Sequence, residues 1–172
     1  MKNWYKYTIA FLAVFLIRLI PFRAPNLEPM MATIMPMSKK YGVFMSFFFG
    51  FLSIVIYDSI TSGWGIWTLI TGLSYGLVGI GASFYFKNRS GRMNYVVYAI
   101  VATILYDAIT GLTIGPLFFH QSFAVSLAGQ IPFTILHLLS NVSFAIVLSP
   151  VIEKWLVGKE EKVFIKRVAL VS

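Results

Sequence analysis

Long runs of apolar residues, separated by short polar or charged segments, make up most of this sequence. A helix needs roughly 20 apolar residues to cross about 30 Å of hydrocarbon. Five runs have about this length or more: 4–22, 41–60, 64–86, 93–112 and 129–156. A sixth run, 27–37, spans only about 16 Å as a helix, so it must tilt, thin the bilayer locally or pack against protein. The pattern predicts an all-α integral membrane protein, a six-helix transmembrane bundle with a short second helix.

Composition excludes several other classes of protein. The 172 residues are 58% hydrophobic and 12% charged, whereas soluble domains average about 45–50% apolar and about 25% charged residues. A soluble enzyme and a disordered chain are therefore excluded, and the alternation expected of a transmembrane β-barrel is absent. Because the chain has no cysteine, it has no disulfides, thiol nucleophiles or thiolate metal ligands.

The charged residues divide unequally between the two ends of the predicted spans. If the N-terminus is cytoplasmic, 12 of the 14 lysines and arginines fall inside, and only Arg18 and Arg23 fall outside. The net charge is then +9 inside and −1 outside, so the positive-inside rule predicts an N-in, C-in topology. Residues 1–157 form a single six-span domain, and residues 158–172 form a cytoplasmic basic tail. The overall charge of +8 reflects topology, and we expect no nucleic-acid partner.

A five-residue motif occurs twice, each time at the outer end of a predicted span. Residues 57–61 read Tyr-Asp-Ser-Ile-Thr, and residues 106–110 read Tyr-Asp-Ala-Ile-Thr. Their shared orientation indicates a parallel structural repeat. An ionised aspartate inside a membrane is costly. Each aspartate, Asp58 and Asp107, therefore caps a helix end or pairs with Arg18 or Arg23, or the two line a polar cavity that opens to the outside. Both interpretations can hold at once.

The last predicted span carries a continuous polar stripe. Its members, spaced by four, three and four residues, are Gln130, Thr134, His137 and Asn141. Such spacing places them on one face of a helix. A single histidine in a membrane helix is often a hydrogen-bonded packing residue, whereas a continuous stripe favours a polar interior lining. The histidines and aspartates lack metal-ligand spacing, so we predict no metal site.

Polar and aromatic residues near the outer ends of the spans form the predicted substrate-binding site. They are Arg23, Asn26, Glu28, Asp58, Thr61, Trp64, Trp67, Asp107, Thr110, His120, Gln121, Gln130, His137 and Asn141. The two tryptophans either belong to an interfacial aromatic belt or stack on a flat ligand. The chain contains no nucleotide-binding or hydrolase motif, so we expect neither catalysis nor a cofactor.

Several further segments form a recognisable set. They are the Arg-Leu-Ile-Pro run at 18–21, the Pro-Asn pair at 25–26, Pro29, Gly42, the Asp-x-x-Thr segments of the repeat, and the proline-containing last helix that ends in Pro150. Together they resemble the substrate-binding S components of energy-coupling factor (ECF) vitamin transporters. The resemblance covers nearly the whole chain.

This resemblance implies a six-helix protein of the prokaryotic cell membrane, with a vitamin-like ligand bound near the outer face. It also implies a transmembrane T component and two cytoplasmic ATPases that supply the energy. Many S components dock on the T component through an Ala-x-x-x-Ala pattern in the first helix. The nearest match in this chain is Ala10 and Ala13, one residue closer together.

A membrane scaffold is the alternative, because the chain is also similar to the MreD cell-shape family in length, span number and its Asp-then-Gly turn after an outward helix. A scaffold needs no ligand cavity, so the polar stripe and the second aspartate would then be packing features. A third reading, a small membrane-embedded enzyme, would need an acid–base or metal constellation that the sequence does not contain.

Overall fold

The computed structural model describes residues 4–22 and 26–156, and these form six helices and no strand. The helices are α1 (Trp4–Leu19), α2 (Met30–Ile60), α3 (Ile66–Tyr85), α4 (Arg92–Gly111), α5 (Ile114–Phe118) and α6 (Phe123–Leu156). Four segments are long and apolar enough to cross a membrane: α2, α3, α4 together with α5, and α6. The expectation of an all-α, multi-pass membrane protein is thus confirmed. Arg23 and the predicted tail, 158–172, lie outside the described residues.

Large apolar side chains also cover the outer surface of the bundle. Leu105 on α4 and Leu139 and Val147 on α6 are exposed, although each belongs to a helix whose other face is buried. In water such a surface would be strongly unfavourable, whereas in a bilayer the solvent is itself apolar. The exposed leucines and valines therefore agree with helices that face lipid.

Helix α2 is bent at Gly42, where the backbone adopts φ 81° and ψ −172°. Glycine reaches a positive φ without the steric cost that a Cβ atom adds. The bend divides α2 into a first segment, residues 30–41, and a second segment, residues 43–60. From sequence, these segments were predicted as two separate spans, 27–37 and 41–60.

The first segment of α2 lies inside the bundle. Its residues from Met30 to Ser38 are buried on every face of the helix. Ser149 of α6 donates a hydrogen bond to the carbonyl oxygen of Ala32 (2.8 Å), and Ser53 donates one to the sulfur of Met30 (2.8 Å). Of the alternatives for this short apolar stretch, the structure therefore shows packing against protein.

Helices α2 and α3 approach each other closely because glycines lie at the contact. A Cβ atom at Gly79 would lie 2.5 Å from the carbonyl carbon of Ser46, and one at Gly50 would lie 2.7 Å from that of Tyr75. Both distances are well below ordinary van der Waals contact of about 3.5–4 Å. Small residues at helix contacts let two backbones meet in this way.

Three lysines gather at the C-terminal end of α6. Lys6 donates a hydrogen bond to the carbonyl oxygen of Trp155 (2.6 Å), and Lys40 donates one to the carbonyl of the next residue. Lys39 forms an ion pair with Glu153. The last carbonyls of a helix lack partners within the helix and attract cations. We call this end of the bundle, defined by Lys6, Lys39 and Lys40, the lysine end.

Helix α6 begins at Phe123, earlier than the predicted start at residue 129. Ser122 explains the difference, because its hydroxyl accepts a hydrogen bond from the backbone N–H of Val125 (3.4 Å). This is the position of an N-cap serine, which satisfies a donor in the first helical turn. The helix also continues through Pro132, so Gly129 and Pro132 do not mark its beginning.

Candidate functional site

An aspartate–histidine pair lies between α4 and α6. Asp107 Oδ1 and His137 Nδ1 are 2.8 Å apart, and the two residues are only 1% and 2% exposed. A polar pair at this depth replaces water by a strong mutual hydrogen bond. The sequence predicted both residues as members of the binding site, and the structure brings them into direct contact.

A second polar contact lies beside this pair. Thr103 precedes Asp107 by one helical turn and Asn141 follows His137 by one turn, so the two residues meet on the facing surfaces of α4 and α6. Asn141 Nδ2 donates a hydrogen bond to Thr103 Oγ1 (2.9 Å). Thr103 in turn donates to the sulfur of Met31 (3.6 Å). The two contacts, one helical turn apart, both connect α4 to α6.

The hydrogen-bond chain fixes the direction in which the Asn141 amide faces. A thioether sulfur can only accept, so the Thr103 hydroxyl uses its hydrogen on Met31. Thr103 must then accept from Asn141, which assigns the amide nitrogen to this contact. The carbonyl oxygen of Asn141 therefore faces the other way.

Aromatic rings surround the aspartate–histidine pair. The ring centroids of Tyr106 and Phe133 lie 6.0 and 5.8 Å from that of His137, both in edge-to-face geometry. Tyr75, on α3, packs against Tyr106 with a centroid distance of 4.7 Å. Three helices thus contribute rings to one site, and the walls around its few polar atoms are apolar.

Several polar atoms of this site are buried without a hydrogen-bond partner among the described residues. They are Asp107 Oδ2, His137 Nε2, Asn141 Oδ1, Ser140 Oγ and the Tyr75 hydroxyl. Native proteins rarely bury a polar atom unpaired, because each costs about 1–3 kcal/mol. We call these five atoms the unpaired cluster.

An ion pair lies near the same site. Arg18, at the end of α1, and Glu28, in the loop before α2, are 3.5 Å apart with side chains 12% and 11% exposed. The Arg18 guanidinium also stacks over the ring of Tyr57 at 4.4 Å. Along the chain Glu28 lies between Asn26, which donates to the carbonyl oxygen of Phe133, and Met31, which accepts from Thr103. The ion pair therefore belongs to the electrostatic surroundings of the unpaired cluster.

The two copies of the repeated motif share one local structure but differ in their contacts. In each copy the threonine hydroxyl donates to the tyrosine carbonyl one turn earlier: Thr61 to Tyr57 (2.8 Å) and Thr110 to Tyr106 (2.9 Å). Asp58 accepts a hydrogen bond from Thr68 of α3 (2.7 Å). This contact joins the end of α2 to the first turn of α3, so Asp58 has a structural role.

The remaining predicted site residues lie at several places around this region. Asn26 donates to the carbonyl oxygen of Phe133 (3.1 Å), and Gln130 donates to Thr134 (3.1 Å). The other members form a peripheral group: Thr61, Trp64 and His120 are exposed, Trp67 is half-buried, and Gln121 accepts a hydrogen bond from Ser126. The structure thus brings together Asp107, His137 and Asn141, with Glu28 and Asn26 nearby.

The two residues predicted to dock a partner differ in exposure. Ala10 is 7% exposed and belongs to the hydrophobic core, whereas Ala13, one turn later, is exposed. Only Ala13 therefore presents its side chain on the surface of this chain.

Sequence reasoning missed Thr103, Tyr75 and Ser140. A signal for Thr103 is present in its position one turn before Asp107, which places both residues on one face of α4. No comparable signal marks Tyr75, because its place in the site depends on the contact between α3 and α4. Among residues 4–22 and 26–156, no group of three or more acidic or histidine side chains is arranged to hold a metal ion.

Comparisons with known proteins identify no relative. No family model matches the sequence, and neither the curated proteins nor the solved structures contain a significant match.

Proposed function

We propose that this protein captures a small molecule as the substrate-binding subunit of an ECF-type importer. The observation that carries the proposal is the unpaired cluster: five buried polar atoms from α3, α4 and α6 that a bound molecule can satisfy. A few convergent polar groups between aromatic walls are typical of small-ligand sites. The sequence resemblance to S components adds the vitamin-like class of ligand.

The proposed complex contains three kinds of partner. Because the chain has no nucleotide-binding motif, energy comes from two cytoplasmic ATPases through a transmembrane T component. The bundle crosses a prokaryotic plasma membrane six times, with both termini inside and the ligand site near the outer face. The clustering of Lys6, Lys39 and Lys40 at one end of the bundle supports this orientation under the positive-inside rule.

Ligand binding can be tested on the full-length protein purified in detergent. We expect native mass spectrometry to find a copurified small molecule. Asp107→Ala and Asn141→Ala should weaken its binding by about 5- to 150-fold, because each removes a buried hydrogen-bond partner worth about 1–3 kcal/mol. Asn94→Ala, which lies near the start of α4, is the matched control and should bind normally. Normal binding by both site variants would contradict the proposed site.

The proposed topology has a separate test. The chain lacks cysteine, so single cysteines can be introduced by Ser62→Cys, Ser90→Cys and Thr113→Cys without background. An impermeant thiol reagent added to whole cells should label positions 62 and 113 and leave position 90 unlabelled. Labelling of position 90 from outside would overturn the orientation.

A membrane scaffold is the second candidate function. The contact between Asp58 and Thr68 favours it, because this aspartate is already used in joining α2 to α3. The scaffold is expected to purify without a ligand and without ATPases. Copurification of a T component with paired ATPases would support the importer and exclude the scaffold.

A further inference from the structure

The unpaired cluster contains more hydrogen-bond acceptors than donors. Asp107 Oδ2 belongs to a carboxylate and can only accept. Asn141 Oδ1 is an acceptor because the amide nitrogen is held by Thr103. His137 faces Asp107 with Nδ1, so its unpaired Nε2 donates or accepts according to how many hydrogens the ring carries. The two hydroxyls, of Tyr75 and Ser140, can act in either role. A molecule that satisfies these atoms must supply hydrogens.

The charges around the cluster favour a cation. Asp107 and Glu28 are acidic, and Arg18 is the basic group paired with Glu28. The formal charges of these three side chains sum to −1. Attraction between opposite charges is stronger in a buried site than in water. A positively charged group beside Asp107 Oδ2 would therefore be bound, whereas an anion there would be repelled.

The walls of the site favour a flat molecule. Tyr106 and Phe133 approach His137 edge-on, and Tyr75 packs against Tyr106. Aromatic side chains can pack against planar rings, and they stabilise cations through their π faces. Because these rings are largely apolar, the site offers a ligand few polar groups other than the unpaired cluster.

We infer that the ligand of this site is a flat, nitrogen-containing cation whose N–H groups donate to Asp107 Oδ2 and to Asn141 Oδ1. The inference rests on the proposed function, because it names the chemical class of the molecule that is captured. An amidinium or a protonated amino-heteroaromatic ring has the required planarity, charge and adjacent donors. Asp107 binds the charge, Asn141 binds a second N–H group, and His137 holds the Asp107 carboxylate in place.

Three matched probes test the charge and the donors separately. Benzamidine, benzamide and benzoate have nearly the same flat shape, but they are cationic, neutral and anionic at neutral pH. We would measure the binding of each to the full-length protein in detergent by ligand-observed NMR or calorimetry. Benzamidine should bind saturably, at least tenfold more tightly than benzamide, and benzoate should not bind.

Two variants connect the binding to the site. Asp107→Asn preserves the shape of the side chain but removes its charge, so the affinity for benzamidine should fall at least tenfold. Glu153→Gln makes the same chemical change at the lysine end and should leave the affinity unchanged. If Asp107→Asn fails to fold, the comparison of the three probes on the native protein still decides.

The outcomes separate this inference from the proposed function. Selective binding of benzamidine that depends on Asp107 supports the inference. Preferential binding of benzoate, equal binding of all three probes, or no binding of any probe would overturn it. The proposed function is judged separately, by the copurified molecule: an anionic molecule released from the protein would refute the cation while leaving the importer standing.

Discussion

Replacing Gly79 by alanine tests the close contact between α2 and α3. The added Cβ atom would lie 2.5 Å from the carbonyl carbon of Ser46, about 1 Å inside ordinary contact. The obstacle is backbone, which has no rotamer to change, so α3 itself must retreat from α2. Because α3 also carries Tyr75, the change disturbs the candidate site as well as the packing.

The expected effect of Gly79→Ala combines two opposing contributions. Overpacking a close contact costs about 1–3 kcal/mol, and alanine is favoured over glycine in a helix by about 0.5–1 kcal/mol. The free energy of unfolding should therefore fall by about 1–2 kcal/mol. Gly129→Ala is the matched control, because a Cβ atom at Gly129 meets nothing within 4 Å. That variant retains only the favourable contribution and should be stabilised.

The measurement is reversible unfolding in mixed detergent micelles with increasing sodium dodecyl sulfate, followed by circular dichroism. The two alanine variants should shift the midpoint in opposite directions relative to the native protein. Equal stability of Gly79→Ala and Gly129→Ala would refute the close approach of α2 and α3.

Two further pairs of variants test the ends of the bundle by the same unfolding assay. Lys6→Met removes a cation from the C-terminal carbonyls of α6 and should lower the free energy of unfolding by about 0.3–1 kcal/mol. The exposed Lys87, changed to methionine, should have no effect, and equal effects of the two changes would contradict this role of Lys6. Glu28→Ala breaks a largely buried ion pair and should cost about 3 kcal/mol. The loss of unfolding free energy caused by Glu28→Ala should be smaller when Arg18→Met is already present. If the losses of the two single variants simply add, the ion pair contributes nothing to stability.

Apart from the short helix α5, the sequence was sufficient to predict which parts of this chain form helices. Apolar runs of membrane-spanning length identify α2, α3, α4 and α6, since a bilayer allows few alternatives to a helix. The sequence predicted the bend at Gly42 only as a break between two apolar runs, 27–37 and 41–60. The start of α6 was placed too late, at residue 129, because the capping serine, Ser122, was not recognised as the boundary.

The candidate site was predictable in its members but not in its pairings. The spacing of His137 and Asn141 placed them on one stripe, and the cost of burying Asp107 marked it as unusual. The partner of each depends on the register between α4 and α6, which no local pattern encodes. For the same reason the sequence left open whether Asp58 has a role like that of Asp107, and only the contact with Thr68 separates them.

The complete burial of residues 30–38, in the first α2 segment, has a consequence for biosynthesis. This segment is made early, but Ser149, which binds the carbonyl of Ala32, lies 117 residues later in the chain. Residues 30–41 are too short to span the bilayer as a helix, and their place is formed by neighbours that include the last helix. The segment must therefore wait near the translocon or at the membrane surface until α6 has been synthesised. Assembly of the bundle then ends when the first α2 segment, which is synthesised early, packs against α6, which is synthesised last.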